Sequence, residues 1–265
     1  MLEVGDADAH DDDGHDEEDS ELSRPDATRF RALAARLNYV AADRVDLQYA
    51  VKEAARHMST PRDASMNLLR RIGKYLVGRP RMVIKFGWQN IPGLATCYTD
   101  SDWAGCPKTA RSTSGGIVCL GGHMIKSYSR QQKTVALSSA EAELHAMVAA
   151  SAETLGIVSL CKDMGITIGG EIYADSSAAL GIAQRTGIGK VRHLRVQALW
   201  VQEVRTTGRL GYKKVIGTLN PADILTKYVP AVLLDSHLRT LGVEFRSGRA
   251  LSAPTLDQVE IYKEQ

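Results

Sequence analysis

The sequence predicts an α/β domain on a mixed five-stranded sheet, in the order βββαβααβα, preceded by a small helical segment. Three observations carry this reading. Between Asp26 and Gly78 apolar residues recur at three- and four-residue steps, the period of helices with one buried face. After the break NIPG at Asn90 to Gly93, the chain changes to short apolar runs separated by polar or glycine turns, the mark of strands. Further along, strand-like and helix-like runs alternate, which yields a mixed α/β sheet.

Each element has its own local reason. The opening GDADAHDDDGHDEEDSE is acidic and of low complexity, too poor in apolar surface to repay ordering, so residues 1–23 read as a disordered tail. Its His10 and His15 are more simply part of a solvated charge run than metal ligands. Phe30, Leu33, Leu37 and Val40 form one helical face. Val45, Tyr49 and Met58 bracket a second, and Leu69, Ile72 and Leu76 a third that starts after the Ser-Thr-Pro signal at Ser59. RMVIKFGW then reads as a strand. LATCYTD, GGIVCLGG and HMIKSYS read as an antiparallel meander. The long helix LSSAEAELHAMVAASAETLGIVSLCKDMG has Ser138 or Ser139 as N-cap, glutamates in its first turn and Gly165 at its end. EIYAD is a strand ending at Asp175, SSAALGIAQ a short helix, and residues from about His193 to Arg205 a basic helix. LGYKKVIG closes the sheet before a short helix opened by NPAD.

The net charge of +2 hides an asymmetry. Residues 1–22 hold 11 of the 31 acidic residues and no Lys or Arg, so the body carries 33 basic against 20 acidic residues. Such a balance favours a polyanionic partner. Four cysteines (Cys97, Cys106, Cys119, Cys161) show no C-x-x-C pair and no His placed to complete a zinc site, as expected of reduced thiols inside a cell. No basic leader with an apolar core and no unbroken apolar run of roughly 18 residues is present, so neither secretion nor a membrane span is expected.

Four carboxylates stand at comparable places: Asp100 at the end of the first strand, Glu143 one turn into the long helix, Asp175 at the end of a later strand, and Asp223 in the first turn of the last helix. In an open α/β sheet the carboxyl ends of neighbouring strands line one rim, where sites form. Clustered carboxylates repel one another and are tolerated chiefly when divalent cations neutralise them. Taken singly, Asp175 and Asp223 could serve as turn or cap residues and Glu143 as a solvated charge. Together, and in this element order, they point to a metal centre suited to in-line phosphoryl displacement.

Residues from about Leu94 to Tyr228 resemble the ribonuclease H domain of copia-type LTR retrotransposon Pol polyproteins, on the motifs YTDSDWAG, RSTSG, ALSSAEAEL, YADSSAAL, KVRHLRVQ and NPADILTK. The stretch FRALAARLNYVAADRVDLQYAVKEAARHMSTP with NLLRRIGKYLVGRP is similar to the connection segment that follows the reverse transcriptase in those polyproteins. The resemblance implies a ribonuclease H-like fold and places Asp100, Glu143, Asp175 and Asp223 as catalytic, metal-binding acids, with Glu141 the fallback for Glu143. It implies two Mg²⁺ ions, with Mn²⁺ as substitute, and hydrolysis of the RNA strand of RNA/DNA hybrids. Asp100 would bridge both ions, Glu143 and Asp175 would share one, and Asp223 would hold the other. It divides the chain into the tail (1–23), the connection segment (24–92), the ribonuclease H-like domain (93–229) and a C-terminal extension (230–265). The polymerase part of the same polyprotein becomes a partner, with no membrane and no small-molecule cofactor, in a cytoplasmic particle or the nucleus. The Tyr-x-Asp-Asp hairpin of a polymerase is missing, so the chain reads as a C-terminal fragment or a separately expressed, decayed copy.

For the substrate, Arg111, Ser112, Thr113 and Ser114 between the first two strands, and Lys190, Arg192, His193 and Arg195 near the basic helix, are candidate grips on the nucleic-acid backbone. RSTSG reads equally well as a hairpin turn. Trp103 reads as packed on the sheet, with base stacking as the alternative. YKKVIGTLNPAD lacks the His that many cellular ribonucleases H carry there, and Arg195 stands where the family commonly has an acid. Integrase-type nucleases order their acids Asp, Asp, Glu, whereas Glu143 comes second here. The competing expectation is a catalytically inactive retroelement remnant acting as a nucleic-acid-binding or structural module.

Overall fold

The computed structural model describes residues 19–187, 189 and 192–249. The acidic run of residues 1–18, Lys190 and the end of the chain from residue 250 therefore lie outside the described residues.

Three helices come first: α1 (Arg24–Ala41), α2 (Gln48–Ala55) and α3 (Asp63–Gly78). Ser23 starts α1, its hydroxyl accepting from the Asp26 N–H at 3.3 Å, which satisfies one of the donors a helix start leaves free. Phe30, Ala34, Val51, Ala54, Leu69 and Ile72 form the core of this bundle. The Arg44 guanidinium grips both oxygens of the buried Asp46 at 2.9 and 2.7 Å, and the Tyr75 hydroxyl donates to the same carboxylate at 2.9 Å, locking the α1–α2 turn onto α3.

A short strand β1 (Arg81–Ile84) follows, only the first half of the expected RMVIKFGW. The main sheet then begins: β2 (Leu94–Asp102), β3 (Thr113–Leu120) and β4 (His123–Gln131) form the expected antiparallel meander. Helix α4 (Ser139–Asp163) crosses back, capped not by Ser139 but by Ser138, whose Oγ accepts from the Glu141 N–H at 3.2 Å. β5 (Gly169–Ala174), α5 (Ser177–Gln184), a 3₁₀ turn at Arg192–Leu194, α6 (Arg195–Thr206) and β6 (Gly211–Lys214) complete the domain. The strand order is β4-β3-β2-β5-β6, with β2, β5 and β6 parallel. This is the mixed five-stranded sheet that the sequence predicts, with β2 central, between β3 and β5.

One face of the sheet packs Cys97, Val118 and Ile172 against Leu144 and Met147 of α4 and Val201 and Val204 of α6. Helix α4 is long and apolar enough, by length and composition, to cross a membrane; here its apolar face lies on the sheet. The neighbouring β3 residues Ile117 and Cys119 point to the opposite face. Burial on both faces explains why GGIVCL reads as a continuous apolar run rather than as an alternation.

The C-terminal part departs from expectation. NPAD opens a 3₁₀ turn (Pro221–Leu225), not an α-helix, and the extension forms α7 (Ala231–Thr240) and β7 (Val243–Arg246). β7 pairs antiparallel with β1, Arg81 opposite Arg246 and Ile84 opposite Val243. Arg79 at the end of α3 binds Asp235 of α7 through both its terminal nitrogens. Leu238, Leu241 and Val243 thereby cover Ile117 and Leu225, so the extension closes the second core. Truncating Leu238 to Ala, in a side chain with almost no exposure, is expected to cost about 2–5 kcal/mol in denaturant unfolding. A cost near zero would show that α7 does not seal that core.

Candidate metal centre

The pairing of β2 with β5 dictates the geometry. Thr99 lies opposite Ala174, so Asp100, the next residue of one strand, and Asp175, just past the end of the other, emerge at the same rim. Helix α4 starts above this rim and lowers Glu143 into it, where Glu143 Oε1 accepts from the Ser101 N–H at 3.3 Å. Ligand oxygens of Asp100, Glu143 and Asp175 lie within 4.8 Å of one another.

Asp223 arrives by a different route. Asn220, fully buried, donates from Nδ2 to the Thr99 carbonyl at 3.0 Å and accepts from the Ala222 N–H at 3.2 Å. These bonds fasten the 3₁₀ turn to β2. Gly115 on β3 lets the turn approach, since a Cβ there would stand 2.8 Å from Leu225 Cβ and from Thr226 Cγ2. The Thr226 hydroxyl donates to Asp100 Oδ2. Asp223 stands beside the trio rather than within its 4.8 Å group, and its Oδ2 takes the Lys227 ammonium at 3.0 Å.

Burial and mutual repulsion disfavour charge here. Burial, then Asp100 and Asp175, pushes the Glu143 carboxyl up to about 8. Burial, then Asp100, pushes Asp223 up to about 6 against the pull of Lys227. Asp175 is raised by the same two causes. Glu143 Oε2 and Asp223 Oδ1 are buried without a hydrogen-bond partner. An oxygen-only, anionic donor set with orphaned acceptors suits a hard divalent cation such as Mg²⁺.

The other residues singled out in the sequence separate clearly. Glu141 accepts from the Leu137 N–H at 2.9 Å and lies 3.0 Å from His193 Nε2, away from the trio. β2 runs on past Ser101 to Asp102, whose half-buried carboxylate fills the space beside Gly105, where a Cβ would come within 1.6 Å of it. Ser112, Thr113 and Ser114 are buried and internally bonded, so they are corrected as backbone grips. Ser112 Oγ accepts from the Ala104 N–H at 3.1 Å, Thr113 Oγ1 from Lys52 at 2.7 Å, and Ser114 Oγ from Gln132 at 2.9 Å. Arg111 is exposed and His193 half exposed. Lys190 lies outside the described residues, as do the side chains of Arg192 and Arg195. Trp103 is half exposed, its ring N–H donating to the Ala136 carbonyl at 3.0 Å, so it leans on the segment before α4 rather than packing fully on the sheet. Sequence reasoning missed Thr226 and Lys227; the one available sign was a Lys four residues after Asp223, a spacing at which charges meet along a helical turn.

No family model matches the chain. The retrovirus-related Pol polyprotein from transposon RE2 of Arabidopsis thaliana is 34% identical over 222 residues, 83% of this chain and 15% of that protein. The one from transposon TNT 1-94 of Nicotiana tabacum is 29% identical over 189 residues, 71% of this chain and 14% of that protein. The chain thus spans about 15% of the length of such relatives. Among solved structures, LC11-RNase H1, isolated from compost, is 19% identical with a TM-score of 0.40, over 55% of this chain and 99% of that one.

The raised carboxyls make a pH prediction. Glu143 ordinarily titrates at 4.5 and here at about 8, so across that window the folded chain holds more protons than the unfolded one. Stability must then fall as pH rises through it. In chelator, the melting temperature is expected to drop between about pH 5 and pH 8. Glu143→Gln should flatten the drop and stabilise by about 1–3 kcal/mol at the upper end, the usual cost of an unsatisfied buried polar group. Parallel, flat profiles for both proteins would contradict the assignment.

Proposed function

The chain belongs to the retrovirus-related Pol polyproteins of copia-like transposons, and from that premise we propose that it is an endonuclease hydrolysing the RNA strand of RNA/DNA hybrids during reverse transcription. The observation that carries the reading is the convergence of Asp100, Glu143 and Asp175 within 4.8 Å at the carboxyl ends of β2 and β5. Asp100, Glu143 and Asp175, with Asp223 beside them, would hold two Mg²⁺ ions, for which Mn²⁺ is the substitute. When bound, the ions supply an activated water and neutralise the charge that develops on the phosphate.

The remaining work falls to the chain itself. Asp100 is central because it is flanked by Glu143, Asp175 and Asp223, and the Thr226 hydroxyl fixes which way its carboxylate faces. The Ser101 N–H does the same for Glu143. Residues 93–229 would carry the nuclease and residues 24–92 the connection to a polymerase part of the polyprotein, in an intracellular setting. Arg111 and His193, with Lys190, Arg192 and Arg195, are the cations proposed to hold the hybrid's phosphates.

Incubating a labelled RNA/DNA hybrid with the chain and Mg²⁺ tests this. Cleavage is expected in the RNA strand, leaving 3′-hydroxyl and 5′-phosphate ends. Asp100→Asn and Asp175→Asn should each lose more than the roughly 10–100-fold typical of outer-layer substitutions at metal centres. Hybrid that stays intact across a range of Mg²⁺ and Mn²⁺ would sink the enzyme reading in favour of a binding module.

A further inference from the structure

A cavity of about 740 Å³ lies apart from the four acids, between the helical segment and the loop that joins β2 to β3. Its wall includes Arg56 and His57 just past α2, Arg62 at the start of α3, Lys108 in the loop and Gln131 at the end of β4. Arg56 is paired with Glu53 and Arg62 with Glu21, whereas Lys108 and His57 are exposed and meet no acid among the described residues. The strand register puts this cavity at the same end of the sheet as the rim. Thr113 lies opposite both Gln131 and Asp102, and Asp102 is two residues past Asp100.

The acidic run joins the described chain at this wall. Asp19 and Glu21 line the cavity, and the chain around them is stitched to the start of α3. Asp19 Oδ1 accepts from the Ala64 N–H at 3.0 Å and its carbonyl from Arg62 Nη1 at 2.8 Å. The Asp63 N–H donates to the Ser20 carbonyl at 3.1 Å, and the Leu22 N–H to the Pro61 carbonyl at 3.1 Å. Residues 1–18, which lead into Asp19, hold nine further acids and no Lys or Arg. A chain of that length spans at most about 60 Å, ample to cover the cavity.

We propose that this cavity is the seat of the chain's own acidic segment, residues 1–18, which engages its cations as an internal polyanion and so competes with nucleic acid for this end of the sheet. The inference rests on the reading that the basic body binds nucleic acid, and it adds a control on that binding. Charge selects the occupant: a wall with unpaired Lys108 faces a segment of one sign whose last two acids, Asp19 and Glu21, are already in place. A segment tethered at the wall meets it at an effective concentration on the order of millimolar. Each contact can then be as weak as an exposed ion pair, at most about 1 kcal/mol, and the seat still fills. A nucleic acid, with its denser row of phosphates, displaces the segment when it also engages the rest of the basic surface. Polyanions that make only a few contacts are kept off.

Carbodiimide coupling of the full chain, which joins a carboxylate to an amine in contact with it, locates the segment. Links from residues 1–18 to Lys108 are expected at low salt. They should vanish near 1 M salt, where the screening length is about 3 Å, and on adding an RNA/DNA hybrid without divalent ions. Links scattered over other lysines, or none, would overturn the seat. Hybrid binding without divalent ions, followed by fluorescence anisotropy, supplies the second arm. Replacing the nine acids by their amides in the full chain should tighten binding about tenfold or more. The same replacement in a chain carrying His57→Gln and Lys108→Gln should gain clearly less, because the groups it would free are gone. Equal gains in the two backgrounds would mean that only bulk charge acts, and would overturn the inference. Equal affinity with and without the nine acids would overturn it too, while the nucleic-acid reading stands. If neither chain binds the hybrid, that reading fails and the competition falls with it, even where links to Lys108 persist.

Discussion

Like charges must be held together against their own repulsion, and most of what surrounds the rim of this sheet follows from that constraint. Three carboxylates within 4.8 Å of one another are an unfavourable arrangement that no local contact among them could sustain. The force comes from elsewhere, from apolar side chains on both faces of β3 and along α4, whose burial fixes where Asp100 and Glu143 must sit. Hydrogen bonds then choose orientation rather than supply cohesion: Ser101 N–H for Glu143 and the Thr226 hydroxyl for Asp100.

The fourth acid depends on a longer chain of causes. Asp223 reaches the rim because a fully buried Asn220 pins the 3₁₀ turn to the β2 backbone and because Gly115 leaves room beneath it. That turn is in turn pressed down by Leu225, which shares a core with Leu238 and Val243 of the C-terminal elements. The second core, the Arg79–Asp235 pair and the β1–β7 ribbon are therefore part of the apparatus that places Asp223, although none of them lies at the rim.

Much of this was legible in the sequence for physical reasons, and the failures have physical reasons too. Asp100 and Asp175 could be read because strand periodicity marks where each strand stops, and the α/β rule places the stops of parallel neighbours side by side. Glu143 could be separated from Glu141 only through the family motif, since both lie within the first turns of one helix; the structure sends Glu141 to His193 instead. RSTSG misled because small hydroxyl residues are equally at home in a solvated turn and in a buried strand start, and burial of Ser112 to Ser114 depends on Lys52 and Gln132 from distant segments. Lys227 was overlooked because a cation beside carboxylates reads as surface charge until the turn that carries it is known. The α7 and β7 elements were passed over for a similar reason: β7 has only four residues and acquires its meaning from β1, some 160 positions earlier.

That ribbon has a consequence for how the molecule would respond to being cut. Between β1 and β2 the chain runs through Phe86, Trp88 and Ile91, with Trp88 98% exposed. A nick there would leave β1 on the upstream piece and its partner β7 on the downstream one, together with Arg79 on one side and Asp235 on the other. The ribbon, the Arg79–Asp235 pair and the shared second core would then be the links between the two pieces. Covalent continuity is therefore one of several links between the helical segment and the sheet domain, beside the β1–β7 ribbon and the second core, to which Val45, Met82 and Ile84 also contribute.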